Sequence, residues 1–150
     1  MAEIFPDEGL DLIINTFFKQ GTPPANLYVG LFTSATPTTV PLRTATGGAS
    51  PVGFTEMVAS SGAYARQAIA AASWGAPATD GSGRATTGPQ VDFTGFVSAA
   101  NANSYFIATA SAPGASNKIL CFANFNSGLA RGLAATTDHI QVTPTAVFNG

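Results

Sequence analysis

Nucleophilic catalysis needs a nucleophile, a base within hydrogen-bond reach and a third group that orients the base. The chain holds one histidine, His139, in "TTDHIQV", with Asp138 beside it. Neighbours on a strand point to opposite faces, so that adjacency does not make a relay, and no "GxSxG" elbow supplies a serine. A structural zinc site needs several convergent His or Cys ligands, and this chain has one of each. Asp80, followed by "GSGR", lacks the alternating carboxylates of a calcium loop, although Asp80 and Asp92 could converge across a hairpin. Glycoside hydrolysis needs two carboxylates across a cleft. Beyond the N-terminal segment only Glu56, Asp80, Asp92 and Asp138 are available, and their contexts do not pair them. The glycines at 47, 48, 81 and 83 do not follow a strand and open a helix, so they form no phosphate loop. The expectation is a protein that is not an enzyme, with no catalytic residue, metal or cofactor.

One cation stands out. Arg66 lies in "SSGAYARQAIAAASWG", a run of small and apolar residues between Tyr64 and Trp74. On a strand spanning 63–74, Tyr64, Arg66, Ala68, Ala70, Ala72 and Trp74 share one face, and Gln67 and Ile69 lie on the other. Alanines let a backbone or a large side chain come close. An arginine there can set its planar fork on carbonyls or a carboxylate while its stem packs on Tyr or Trp. Three uses remain open: a bond within the chain, a bond between subunits, or a ligand site.

Several elements must position these residues. "FPDEGLDLIINTFFKQG" predicts a helix over about 7–20, with Leu10, Ile13, Ile14 and Phe17 on one apolar stripe. Asp7 is its expected N-cap. Glu8 and Asp11 suit the positive end of the macrodipole, Lys19 the other end, and Gly21 the position past it. The rest reads as β. "LYVGLFTS" (27–34) sets Leu27, Val29 and Leu31 against Tyr28 and Phe32, so both faces should be buried. Strands are also expected at 54–60, 63–74, 90–96, 104–110 and 118–125, with a final one over 139–148 that Pro144 places partly at an edge. Turns are expected at 79–88, where Asp80-Gly81 is a hairpin signal, at Asn101–Asn103 and at Pro113–Asn117. Residues 35–53 read as a long loop or an extended arm. Six to eight short strands and one helix predict a single mainly β domain, an antiparallel β-sandwich or small barrel with one N-terminal α-helix.

Composition narrows the class. Charged residues make up 9% of the 150, where roughly 25% is ordinary. A surface so poor in charge fits a protein covered by partners, or one that uses Thr, Ser, Asn and Gly instead. Net charge is −2 and the six Lys and Arg are scattered, which argues against nucleic acid. No apolar run approaches the length of a membrane span, and no basic segment precedes an apolar one at the start, so neither membrane nor signal peptide is expected. The lone Cys121 predicts a buried, inert thiol and, with the missing signal, folding in a cytoplasm.

"LYVGLFTS", "GAYARQAIAAASWG" and "SYFIATA…KILCFANF" together resemble a family of small tailed-bacteriophage virion structural proteins, over about residues 3–145. Members carry an acidic helix start, "LYxGLFTS", "GGYARQ", and an "FFIA…FANF" pair. This chain has Ala63 where a second glycine is usual, and "NANS" where "WG" often precedes the later strand. The resemblance implies a capsid decoration (cement) protein on the outer surface of a phage head. Its partners would be the major capsid protein and further copies of itself, as a dimer or trimer. A tail, baseplate or fibre-adaptor protein is the alternative, and a receptor- or carbohydrate-binding module with Tyr28, Tyr105 and Trp74 around a groove is a second. No catalytic residue carries over from the family. The structural or interface candidates are Arg66, Tyr64, Gln67, Trp74, Tyr28 and Phe32.

Overall fold

Alternation of apolar residues on both faces of "NLYVGLF" requires cover from two sides, and the fold supplies it. The computed structural model describes residues 5–33, 46–47, 54–57, 64–81, 83–94, 96, 100–102, 104–125, 131–133 and 138–149. Among these lie one helix, α1 (Asp7–Phe18), and the strands β1 (Asn26–Phe32), β2 (Gln67–Ala70), β3 (Ala78–Asp80), β4 (Gly83–Thr87), β5 (Val91–Phe93) and β6 (Ala100–Ala102). They continue with β7 (Ser104–Ala108), β8 (Ile119–Asn124), β9 (Arg131–Leu133), β10 (Ile140–Val142) and β11 (Thr145–Asn149). The main sheet has the order β2-β1-β7-β8; smaller sheets pair β10 with β5, β11 with β4 and β3, and β6 with β9. All pairings are antiparallel. The architecture is mainly β and sandwich-like with an N-terminal helix, and the described residues form no closed barrel.

One face of the main sheet contributes Val29, Leu31, Ile69, Tyr105, Ile107 and Cys121, which pack with Phe93, Phe96, Ile140, Val142 and Ala146. The opposite face is phenylalanine-rich: Phe32, Phe106, Phe122 and Phe54 gather with Ala108 and Ile119. Edge-to-face rings, such as Phe32 on Phe122 at 5.6 Å, suit the quadrupoles of aromatic side chains. Gly30 makes the second layer possible. It pairs with Phe106 across β1 and β7, and a Cβ there would stand 2.3 Å from that ring. The helix docks by the same device: at Gly9 a Cβ would meet the Leu120 carbonyl oxygen at 2.3 Å.

Several expectations are corrected. Pro6, not Asp7, is the helix N-cap, and no side chain caps it. The Pro6 carbonyl accepts the N–H groups of Gly9 and Leu10, which starts the helix one residue earlier and leaves Asp7 inside the first turn. Gln20, not Gly21, takes the left-handed backbone (φ +54°) past the helix, while the Gly21 N–H bonds the Asn15 carbonyl. Of the strand expected over 63–74, residue 63 lies outside the described residues and the described part is strand only at β2; Ala71–Ser73 form a 3₁₀ turn, and alanine's weak β preference lets the strand break. Of 54–60, the described part (54–57) makes one bridge, Glu56 to Phe32. Asn101, expected in a turn, lies in β6, which pairs with β9. The C-terminal strand is two, β10 and β11, separated by Thr143 and Pro144, since proline cannot donate to a ladder. Residues 79–88 include the β3–β4 hairpin, with Gly81 at φ +56°. Except for 46 and 47, the loop 35–53 lies outside the described residues.

Candidate functional site

Arg66 sits one residue before β2, with its side chain 1% exposed. A buried guanidinium must find acceptors for its fixed fork of N–H groups. Here Nε donates to Glu56 Oε1 and Nη2 to Glu56 Oε2, both at 2.7 Å, a bidentate pair. Nη1 donates to the Ala110 carbonyl at 2.8 Å and to Asn117 Oδ1 at 3.2 Å. The guanidinium carbon lies 4.9 Å from the centre of the Phe106 ring, so the cation also rests on an aromatic face. The ring beneath it is Phe106, not Tyr64 or Trp74.

Two more residues extend this cluster. The Tyr64 hydroxyl accepts the Leu31 N–H at 2.8 Å and donates to Glu56 Oε1 at 3.1 Å, while its ring stacks on Phe93. Burial, and then the Glu56 carboxylate, push the Tyr64 phenol well above its ordinary range, so it remains a donor. Asn117, fully buried at the end of the 113–117 turn, accepts the Ala110 N–H at 3.2 Å and donates to the Gly47 carbonyl. Glu8 approaches from the helix. Its Oε1 accepts the N–H groups of Gly47 and Ile119, and Lys118 Nζ lies 3.7 Å from Oε2. Helix, main sheet, residue 47 and the turn before β8 are thus tied by charged or amide side chains.

This arrangement answers the question posed by Arg66. Its bonds are to its own chain, and its side chain is closed to solvent, as the first of the three uses requires. The other expected site residues are scattered. Phe32 is a buried core side chain, not a surface one. Gln67 bonds the Ala65 carbonyl, and Tyr28 is half-buried on β1. Trp74 is half-buried, and its indole N–H has no hydrogen-bond partner among the described residues. Tyr105 is buried, with its hydroxyl accepting the Thr145 N–H at 3.1 Å, so it cannot line a groove beside Tyr28 and Trp74.

Sequence reasoning misses what Arg66 pairs with, although a signal is present: Glu56 is the only acid between Asp11 and Asp80. It also misses the partner of His139. Asp92 Oδ2 lies 3.1 Å from its Nδ1, brought there by the pairing of β5 with β10. Neither the models of protein families nor the curated proteins contain a match to this chain.

Proposed function

We propose that the protein is a bacteriophage capsid decoration (cement) protein that stabilises the head shell across junctions of the major capsid protein. The observation that carries this reading is where the scarce charges go. Of 150 residues only six are Lys or Arg and eight are Asp or Glu, and Arg66, Glu56 and Glu8 are committed to internal bonds. The outside is left poorer in charge than even the composition implies. Such a surface suits extended neutral contact with neighbours in a lattice better than free diffusion. The resemblance of "LYVGLFTS", "GAYARQ" and "FANF" to phage virion proteins supports the same reading. A standard stable interface buries roughly 1,600 Å², and a cement protein repeats such a contact over the whole shell.

Copy number tests it. Quantitative gel analysis of purified particles is expected to give hundreds of copies each. A handful per particle overturns the shell assignment and favours a tail, baseplate or fibre-adaptor protein.

A further inference from the structure

The helix α1 is apolar on two sides. Gly9, Leu12, Ile13 and Thr16 turn toward the chain, where Gly9 meets the backbone of β8. Leu10, Ile14, Phe17 and Phe18 stand on the other side, 38%, 47%, 77% and 83% exposed. Their spacing of i, i+4, i+7 and i+8 makes one stripe. Two nearly bare phenylalanines plus Leu10 and Ile14 leave on the order of 400 Å² of apolar surface, within the range of the largest patch on a monomer.

The charges around this stripe say what fits it. Asp7 and Asp11 lie at its start, and Lys19 follows its end. A second copy of the helix laid antiparallel, with Ile14 on the two-fold axis, sets Leu10 of each copy level with Phe18 of the other. Lys19 of each copy then lies level with position 9 of its partner, between that copy's Asp7 and Asp11. Antiparallel helices also place opposite macrodipole ends together. The stripe is complementary to itself in that orientation, as a two-fold interface requires. In a parallel pairing the acidic starts would meet.

We propose that this outer face of α1 pairs with the same face of a second copy, as an antiparallel, two-fold helix pair. The area is below that of a standard interface, so the dimer is a weak one, with a dissociation constant on the order of micromolar. The proposal concerns the isolated chain and does not depend on a place in the virion.

The test uses the full chain in solution. Sedimentation velocity is expected to show a reversible dimer at tens of micromolar. Phe17→Glu with Phe18→Glu is expected to weaken it by about 100-fold, as loss of central anchors does, with unchanged far-ultraviolet circular dichroism because both side chains are exposed. Lys19→Glu is expected to weaken it a few-fold, and Asp11→Lys in the same chain to restore it. Under oxidising conditions Ile14→Cys is expected to cross-link to itself, and Leu10→Cys to cross-link with Phe18→Cys but not with itself. Cys121 is buried and does not compete. A wild-type chain that stays monomeric at about 100 μM overturns the proposal. So does a dimer that survives the double glutamate variant, or Leu10→Cys cross-linking to itself as readily as Ile14→Cys.

Discussion

Arg66–Glu56 and His139–Asp92 are both contacts of a side-chain nitrogen with a carboxylate at hydrogen-bond length, 2.7 and 3.1 Å. Their side chains differ in exposure: 1% and 14% for the first pair, 55% and 42% for the second. The difference teaches what the distance does not. Water competes for the exposed pair, so little stability rests there. The buried pair has given up its hydration, and removing one member strands the other. The same kind of contact is a surface ornament in one place and a keystone in the other.

The comparison can be broken by substitution. Arg66→Ala is expected to cost the most, about 3–5 kcal/mol, because the Glu56 carboxylate is left without its fork and Asn117 loses a donor. Urea unfolding measures it, and a loss no larger than that of a surface variant would show that the pair is not the keystone. Replacing both members, Arg66→Met with Glu56→Leu, is expected to recover part of that loss, which a double-mutant cycle would read as coupling.

Tyr64→Phe is expected to cost about 1–3 kcal/mol, since it leaves the Leu31 N–H without its acceptor. Tyr64 also sets an alkaline limit. Its phenol is raised in the fold above the ordinary value near 10. The unfolded chain therefore releases this proton first, and the stability is full below pH 10 and falls as pH rises beyond it. Unfolding midpoints measured from neutral to alkaline pH should decline there, and the decline should be shallower in Tyr64→Phe.

At the small end, Asp92→Asn is expected to change stability, read by urea unfolding, by less than about 1 kcal/mol. A loss comparable to that of Arg66→Ala would erase the contrast between the two pairs.

How far the sequence reaches follows from the range of each interaction. β1 is legible because its two-faced alternation is local. Arg66 stands out because a cation in an alanine-rich run needs an explanation. Its acceptors are hidden, since Ala110 and Asn117 lie 44 and 51 residues away and no local pattern selects them. The sequence overstates the length of β2 because the alternation that suggests a strand runs through alanines, which hold a strand only weakly. β6 and β9, three residues each, exist by pairing with one another, which no single window of sequence displays. The helix stripe is legible as a stripe, but Leu10, Ile14 and Phe17 face outward, because Gly9 is the position that can touch β8.

The bond from Glu8 to the Ile119 N–H spans 111 residues. During synthesis the helix leaves the ribosome well before the strand it docks on is made. β1 must likewise wait for β7 to complete its ladder. Contacts this distant along the chain slow folding, because loop closure comes before the bonds that reward it. For that interval a helix apolar on both sides has no partner in its own chain, which makes the nascent protein a natural client for chaperones that hold exposed hydrophobic segments.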